Sequence, residues 1–231
     1  MKKRLEEIYH LLANHYGPTH WWPGDSPFEV AIGAILTQNT AWTNVVKAID
    51  NLKKMRLLSP SRMHAVPVAE LEAAIRSSGY YRQKTERLRL FCDFLLKRYD
   101  GRMSRMAARP LAALRDELLA LKGIGPETAD DILLYACDKP IFVVDAYTAR
   151  IFHRCGLTPE RIGYAPLQQL VHEHVVPDVH RYKEFHGLIV WTGKDFCRKE
   201  PRCHECPLAQ PHAPASCFPC RKGTETGSIV R

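Results

Sequence analysis

The sequence predicts an all-α protein. Apolar residues recur at the three- and four-residue spacing of amphipathic helices along most of the chain. The one convincing extended run, Ile141 to Val144, is short, and a single extended segment cannot build a sheet. No apolar run approaches the roughly 18 residues that a membrane helix needs. The helical pattern is carried by Leu5, Ile8, Tyr9 and Leu12; Ile32, Ile35 and Leu36; Val45, Val46, Ile49 and Leu52; Leu88, Leu90, Phe91, Phe94 and Leu95; and Leu111, Leu114, Leu118 and Leu119.

Composition and charge indicate a globular protein that meets a polyanion. The 231 residues suit one domain or two small lobes, and contents of 45% hydrophobic and 25% charged residues are ordinary for such a fold. The net charge of +8 favours a phosphate backbone as partner, although charge alone does not say which polyanion. The N-terminal segment is amphipathic and interrupted by acidic residues, unlike a signal peptide. We therefore expect a cytoplasmic protein, nucleoid-associated in a prokaryote, with no membrane partner.

The most informative segment runs from Leu118 to Asp130 and contains the turn Gly123-Ile124-Gly125. The pattern predicts two helices joined tightly, with Pro126 near the first position of the second helix and Ile124 packed between them. Glycines permit positive φ and, lacking a Cβ, let a phosphate approach the backbone. Amides at the start of the second helix would face that anion. A Gly-x-Gly turn taken alone also fits an ordinary helical corner.

The chain beyond the turn supports a more specific interpretation. Twenty residues after Gly125, an apolar extended run delivers Asp145 to the beginning of a helix, where a carboxylate serves as an N-cap. Hairpin, spacer and Val144-Asp145 together resemble the helix-hairpin-helix DNA glycosylase superfamily, which includes endonuclease III. The resemblance implies a two-lobed all-α DNA glycosylase fold that binds damaged double-stranded DNA, with Asp145 as the catalytic residue.

The chemistry of a glycosylase needs a carboxylate of this kind. Breaking an N-glycosidic bond builds positive charge on the sugar, which a nearby carboxylate stabilises while it orients or deprotonates water. We therefore assign this role to Asp145 and expect Asp130 and Asp131 to be solvated helix residues. Enzymes of the endonuclease III type carry a lysine nucleophile two residues after the Gly-x-Gly turn, and this chain has Glu127 there. Because a glutamate cannot form a Schiff base, the departure favours a monofunctional glycosylase that uses water.

Within the superfamily, the pattern Gly-Ile-Gly-x-Glu-Thr-Ala-Asp looks most like the 3-methyladenine DNA glycosylase III branch. The segments 21–23, 36–42 and 185–187, together with Lys194, agree with that branch, and the resemblance runs from about residue 5 to residue 196. It implies a base pocket lined by Trp21, Trp22, Trp42 and Lys194.

That pocket suits cationic N-alkylated purines, because a cation over an aromatic ring gains roughly 0.5–2 kcal/mol. The branch has Phe where this chain has Trp42, so the width and preference of the pocket can differ. Tryptophans buried in a core and a lysine on the surface are the alternative interpretation of these residues.

The resemblance also implies how the protein holds DNA while a base leaves the stack. Gln38 matches the residue that fills the gap, and Tyr80, in the loop 79–84, matches the wedge against the opposite strand. An aromatic ring there can stack on bases, although a helix-capping turn at Gly79 is the alternative. Lys84 and Arg87 are expected to contact phosphate or to form a solvated face. The implied DNA-binding residues are Gln38, Tyr80, Gly123, Ile124, Gly125 and Thr128.

The eight cysteines divide into two groups. Three are scattered in apolar helical contexts and are interpreted as small buried residues: Cys92, Cys137 and Cys155. The remaining five lie near the C-terminus, where closely spaced thiolates followed by proline indicate an iron–sulfur cluster, with zinc as the alternative. The loop resembles the 4Fe–4S loop of endonuclease III, with the expected ligands Cys197, Cys203, Cys206 and Cys217.

The spacing of this loop departs from the family's pattern. The first gap is five residues rather than six, and the last is ten to Cys217 or thirteen to Cys220 rather than five. The shorter loop closure favours Cys217, with Cys220 left open.

We expect a helical barrel lobe over residues 27–131 that ends in the hairpin. A second lobe would combine residues 1–26 with 132–220, and a disordered tail would span 221–231. The active site is expected in the cleft between the lobes of a monomer. Two other functions stay open at this point: an endonuclease III-like enzyme acting on oxidised pyrimidines or mismatched bases, with or without lyase activity, and a non-catalytic DNA-binding protein.

Overall fold

A computed structural model of the chain describes residues 1–209. Within that range every regular element is helical and no strand occurs, so the predicted all-α class is confirmed. No helix among these residues is long and apolar enough to cross a membrane. The α-helices are α1 (Lys2–Tyr16), α2 (Pro27–Thr37), α3 (Trp42–Lys54), α4 (Pro60–Ala65), α5 (Val68–Ala74), α6 (Tyr81–Tyr99), α7 (Met103–Ala107), α8 (Leu111–Leu119), α9 (Pro126–Asp131), α10 (Ala146–Arg154), α11 (Tyr164–His174) and α12 (Val179–Asp195).

The helices form two compact units, which we call the terminal unit and the central unit. The terminal unit contains Met1–Trp22 and the described chain from Pro140 onward, and the central unit contains Pro23–Lys139. The central unit is therefore longer than the predicted lobe, by four residues at its start and eight at its end. The C-terminal extension arises because the chain after α9 continues as a π-helical segment, Ile132–Ala136, which packs on α2.

Helix α2 is the core of the central unit. Ser26 caps it by accepting a hydrogen bond from the Glu29 amide, and Pro27 occupies the first turn, where its missing N–H costs nothing. All residues from 28 to 36 are buried, because α3, α6, α9 and the π-helical segment surround the helix. A helix that is apolar all round is stable only at such a place.

In the terminal unit, α12 is the central element. It packs against α1 and against α10, and it carries ten buried residues. The apolar face of α1 supplies Leu5, Ile8 and Leu12, each fully buried, as the helical spacing predicts.

The predicted hairpin is formed by α8 and α9. Gly123 has a φ of +88°, a conformation that favours glycine, whereas Gly125 has a φ of −91° and caps α9, which begins at Pro126. Ile124 is 5% exposed.

The two aspartates of α9 correct a prediction. Asp130 and Asp131 are buried, not solvated, and Arg115 donates two hydrogen bonds to Asp130, at 2.7 and 3.1 Å. The pair ties α8 to α9 and thereby stiffens the hairpin. Cys92 and Cys137 are buried free thiols, and Cys155 is buried as well.

Candidate active site

Asp145 lies at the N-cap of α10, and its two carboxylate oxygens have different surroundings. Oδ1 accepts hydrogen bonds from the Thr148 amide at 2.7 Å and from the Thr148 hydroxyl at 2.8 Å. The predicted capping geometry is thus present, and it fixes the orientation of the carboxylate. Oδ2 faces the other way, toward His186 Nε2 at 3.5 Å.

The environment keeps Asp145 ionised. Burial alone would raise the pKa of its carboxyl, but His186 and the two Thr148 donors outweigh it and hold the pKa below its usual value. His186 is 4% exposed, and its ring meets Phe142 edge-on at 6.3 Å. A carboxylate that is oriented, charged and partly desolvated suits electrostatic stabilisation of a developing cation.

Lys194 lies within electrostatic reach of this carboxylate and close to the Trp21 ring. Lys194 Nζ is 5.0 Å from the centre of the Trp21 ring, in cation–π geometry. Burial lowers the pKa of Lys194, and the negative charges of Asp145 and Asp195 offset part of that effect. The structure therefore brings together three of the predicted site residues within the terminal unit.

The segment that carries Trp21 is anchored on α12. Glu184 accepts hydrogen bonds from the Thr19 amide at 2.9 Å and from the Thr19 hydroxyl at 3.0 Å. One turn further along, Gly187 leaves room for the segment, because a Cβ there would lie 2.8 Å from both Thr19 Oγ1 and Trp21 Cβ. The Trp22 ring lies 5.8 Å from the Trp21 ring at an interplanar angle of 53°. Both rings are half-buried, so they are not core tryptophans.

Trp42 belongs to the central unit, where it is the first residue of α3 and is half-buried. The same unit holds the predicted DNA-binding residues. Gln38 Nε2 donates to the Gly123 carbonyl at 3.1 Å and to the Thr128 hydroxyl at 2.8 Å. Arg87 donates to Gln38 Oε1, and its side chain packs against Gly123 so closely that a Cβ there would collide with it.

Tyr80 and Lys84 differ sharply in exposure. Tyr80 is 65% exposed and adopts a left-handed conformation just before α6, which is uncommon for a residue other than glycine. Lys84 was predicted to contact phosphate or to lie on a solvated face, and both predictions are wrong. Its side chain is fully buried and its ammonium donates to the Leu36 and Ser78 carbonyls.

The cysteine loop follows α12 and places Cys197, Cys203 and Cys206 around one cavity of about 320 Å³, its opening to solvent included. Burial raises the pKa of the Cys206 thiol to about 11, and the neighbouring Cys197 and Cys203 add to the effect. Arg154 donates to Cys197 Sγ at 3.2 Å and to the Arg198 carbonyl at 2.7 Å. Cysteines and a buried guanidinium that line one cavity suit a group that is anionic and thiolate-ligated. The described residues contain no group of three cysteine, histidine or carboxylate side chains spaced to hold a metal ion by themselves. Cys217 and Cys220 lie outside the described residues, as does the predicted tail 221–231.

Sequence reasoning missed the side chains that support these residues. His186 was noted only as part of a resembling segment, and Tyr147 and Arg150 were not assigned. The Tyr147 ring packs onto α12 where Gly193 has no side chain, and Arg150 Nε donates to the Cys197 carbonyl at 2.7 Å. The spacing of Asp145, Arg150 and Arg154 along one helix was a visible signal, but the partners of the two arginines lie more than 40 residues away in the chain.

Comparison with known proteins gives consistent results. Residues 32–177 match the family model of the HhH-GPD superfamily base excision DNA repair protein. A putative DNA repair glycosylase of Methanocaldococcus jannaschii is 43% identical over 89% of this chain and 94% of its own length. Among solved structures, the H. pylori 3-methyladenine DNA glycosylase bound to 1,N6-ethenoadenine aligns with a TM-score of 0.69 and 32% identity, over 84% of this chain and 95% of that one. A trapped endonuclease III–DNA covalent intermediate aligns with a TM-score of 0.78 and 26% identity, over 96% of both chains.

Proposed function

This chain belongs to the HhH-GPD superfamily of base excision DNA repair proteins and is a DNA N-glycosylase, and within that class we propose a monofunctional enzyme that removes an alkylated, 3-methyladenine-like purine. The observation that carries the proposal is the grouping of Asp145, Lys194 and Trp21: a lysine nitrogen lies over the indole ring and within electrostatic reach of an ionised carboxylate. We propose Trp22 and Trp42 as further pocket residues.

This grouping favours a substrate that is electron-poor. An N-alkylated purine carries positive charge, and an indole face that accepts a cation attracts it by roughly 0.5–2 kcal/mol. The similar H. pylori enzyme was solved with a modified adenine, which agrees with a purine pocket.

The proposed reaction needs little help at the leaving group. The C1′–N bond breaks heterolytically, and its electron pair neutralises the positive charge of the alkylated base. Asp145 stabilises the oxocarbenium-like sugar that remains. A water oxygen then bonds to C1′ and gives a proton to Asp145, and the DNA is left with an abasic site. Asp145 afterwards releases the proton to solvent. Thr148 and His186 hold the carboxylate in position throughout.

Glu127 supports the monofunctional assignment. It lies in the exposed first turn of α9, at the place where the resembling lyases carry their nucleophilic lysine. Borohydride reduction of a reaction mixture should therefore trap no enzyme–DNA adduct, and a trapped adduct would contradict the assignment.

A second function is favoured by the similarity to endonuclease III over 96% of the chain and by the cysteine loop. Under it the enzyme would act on oxidised pyrimidines or mismatched bases. A panel of labelled duplexes containing 3-methyladenine, 7-methylguanine, thymine glycol or a mismatch separates the two. Release of alkylpurines supports our proposal, and release of thymine glycol or a mismatched base without alkylpurine release rejects it.

The catalytic role of Asp145 is tested with a matched pair of capping aspartates. Asp145→Asn keeps the size of the side chain but removes its charge, so single-turnover excision should fall by roughly 10²–10⁴-fold. Asp178 caps α12 in the same unit, accepting from the Arg181 amide at 2.6 Å, and Asp178→Asn should leave excision unchanged. An equal loss in both variants would show that helix capping, not chemistry, is being measured.

We further propose that the cysteine loop holds a 4Fe–4S cluster. Cys197, Cys203 and Cys206 would be three of its ligands, with Cys217 as the fourth and Cys220 as the alternative. When bound, the cluster would tie the loop together and place its basic residues. The purified protein should absorb near 400 nm and contain iron, and Cys203→Ala should lose both while Cys92→Ala, a buried thiol elsewhere, keeps them. Stoichiometric zinc without iron would contradict the proposal.

A further inference from the structure

A fully buried lysine occupies the first turn of α6. Lys84 is 0% exposed, and its ammonium donates to the Leu36 carbonyl at 2.8 Å and to the Ser78 carbonyl at 2.6 Å. Its hydrogen-bond partners in residues 1–209 are both carbonyl oxygens, with no carboxylate to neutralise the charge. Burying an ammonium in this way costs free energy. Hydrogen bonds to two carbonyls, one at the end of a helix and one in a loop, offset that cost.

The two carbonyls belong to the two segments that carry the predicted DNA-inserting side chains. Leu36 is in the last turn of α2, two residues before Gln38. Ser78 lies two residues before Tyr80, which protrudes at 65% exposure. One ammonium therefore ties the base of one segment to the base of the other.

The next turn of α6 reinforces this tie. Arg87 donates to Gln38 Oε1 and fills the space against Gly123, while Gln38 Nε2 bonds to the hairpin. The start of α6 thus contacts three segments and fixes their positions relative to one another. They are the end of α2, the loop before Tyr80 and the turn at Gly123.

We propose that Lys84 is a positioning residue that fixes Gln38 and Tyr80 relative to each other, so that both side chains enter the duplex together when a base leaves the stack. The inference rests on the proposed glycosylase function. Unstacking a base costs a few kcal/mol, which inserted side chains offset best when they are already in place. Lys84 would then contribute to opening the duplex and not to bond cleavage.

If Lys84 contributes to opening the duplex and not to bond cleavage, the effect of replacing it should depend on whether the damaged base is paired. Lys84→Met removes both hydrogen bonds while keeping a side chain of similar size. Single-turnover excision of an alkylated purine from a fully paired duplex should fall at least tenfold. Excision of the same base from a one-nucleotide bulge, which is already unpaired, should change less than threefold. Lys97→Met, an exposed lysine at the other end of α6 paired with Asp93, should be unchanged on both substrates.

Specific outcomes of the same measurements would overturn the proposal. An equal loss on paired and bulged DNA in a folded Lys84→Met protein would overturn the proposal, as would no loss on either. If Lys84→Met does not fold, Lys84→Gln takes its place. Its shorter, neutral amide keeps one donor group, and it should lose activity on the paired duplex only. An equal loss of the glutamine variant on both substrates would likewise overturn the proposal.

A readout without cleavage separates this proposal from the proposed function. A duplex with 2-aminopurine opposite an abasic-site analogue reports unstacking by a rise in fluorescence when protein binds. The wild-type protein should produce the rise, Lys84→Met should lose most of it at saturating protein, and Lys84→Gln should restore part. If the wild-type protein releases no alkylpurine, the lesion assignment fails while this test still stands. An equal rise for wild type and Lys84→Met would refute the positioning role.

Discussion

Replacing Lys84 by Met should remove a pH dependence from the stability of the protein. Burial, aided by the nearby positive charge of Arg87, lowers the pKa of Lys84 from 10.5 to about 8. Between these two pH values the unfolded chain binds a proton that the folded chain does not. The free energy of unfolding of the wild-type protein therefore rises with pH in this window, whereas below pH 8 both states are protonated and the full cost of burial is present.

The magnitude depends on the gap between the two pKa values. At about 1.36 kcal/mol per pH unit, the gap corresponds to about 3 kcal/mol in total, most of which develops between pH 7 and pH 10. Methionine does not titrate, so the stability of Lys84→Met relative to wild type should fall by about 2–3 kcal/mol over that interval.

Urea unfolding at pH 7, 8, 9 and 10 measures the effect. Comparing wild type with Lys84→Met at each pH cancels the titration of every other group, and Lys97→Met controls for the loss of an exposed lysine. If the difference in unfolding free energy between wild type and Lys84→Met is the same at pH 7 and pH 10, the ammonium is not held in a costly environment and the reasoning is wrong.

Three further predictions concern the terminal unit. His186→Gln removes the imidazole that favours the Asp145 carboxylate, so the pKa of Asp145 should rise and the acid limb of the pH–rate profile for single-turnover excision should move to higher pH; an unmoved limb would contradict the assigned contact. Thr148→Val removes a buried hydroxyl donor to that carboxylate and should lower the free energy of unfolding at pH 7, measured in urea, by about 1.5–3 kcal/mol. Gly193→Ala places a methyl group against the Tyr147 ring and should destabilise the fold by about 1–3 kcal/mol by the same measurement, a cost that would be absent if the ring could move aside.

Local features of this protein were predictable because their causes are local. The helical class follows from the spacing of apolar residues, and the start of α9 at Pro126 follows from the missing N–H of proline. The N-cap at Asp145 likewise depends on residues only three positions apart. The catalytic and DNA-binding roles of the predicted site residues remain predictions until the variants above are measured.

The tertiary structure decided what surrounds those local features. From the sequence, Lys84 was expected to contact phosphate or to lie on a solvated face, because a lysine near a predicted DNA-binding loop is ordinarily exposed. Its burial depends on the carbonyl of Leu36, 48 residues away in the chain. His186 became part of the site only because α12 brings it to 3.5 Å from Asp145. Sequence patterns report the interactions of a residue with its near neighbours, whereas the charge of a carboxylate or the burial of an ammonium depends on groups that only the folded chain brings close.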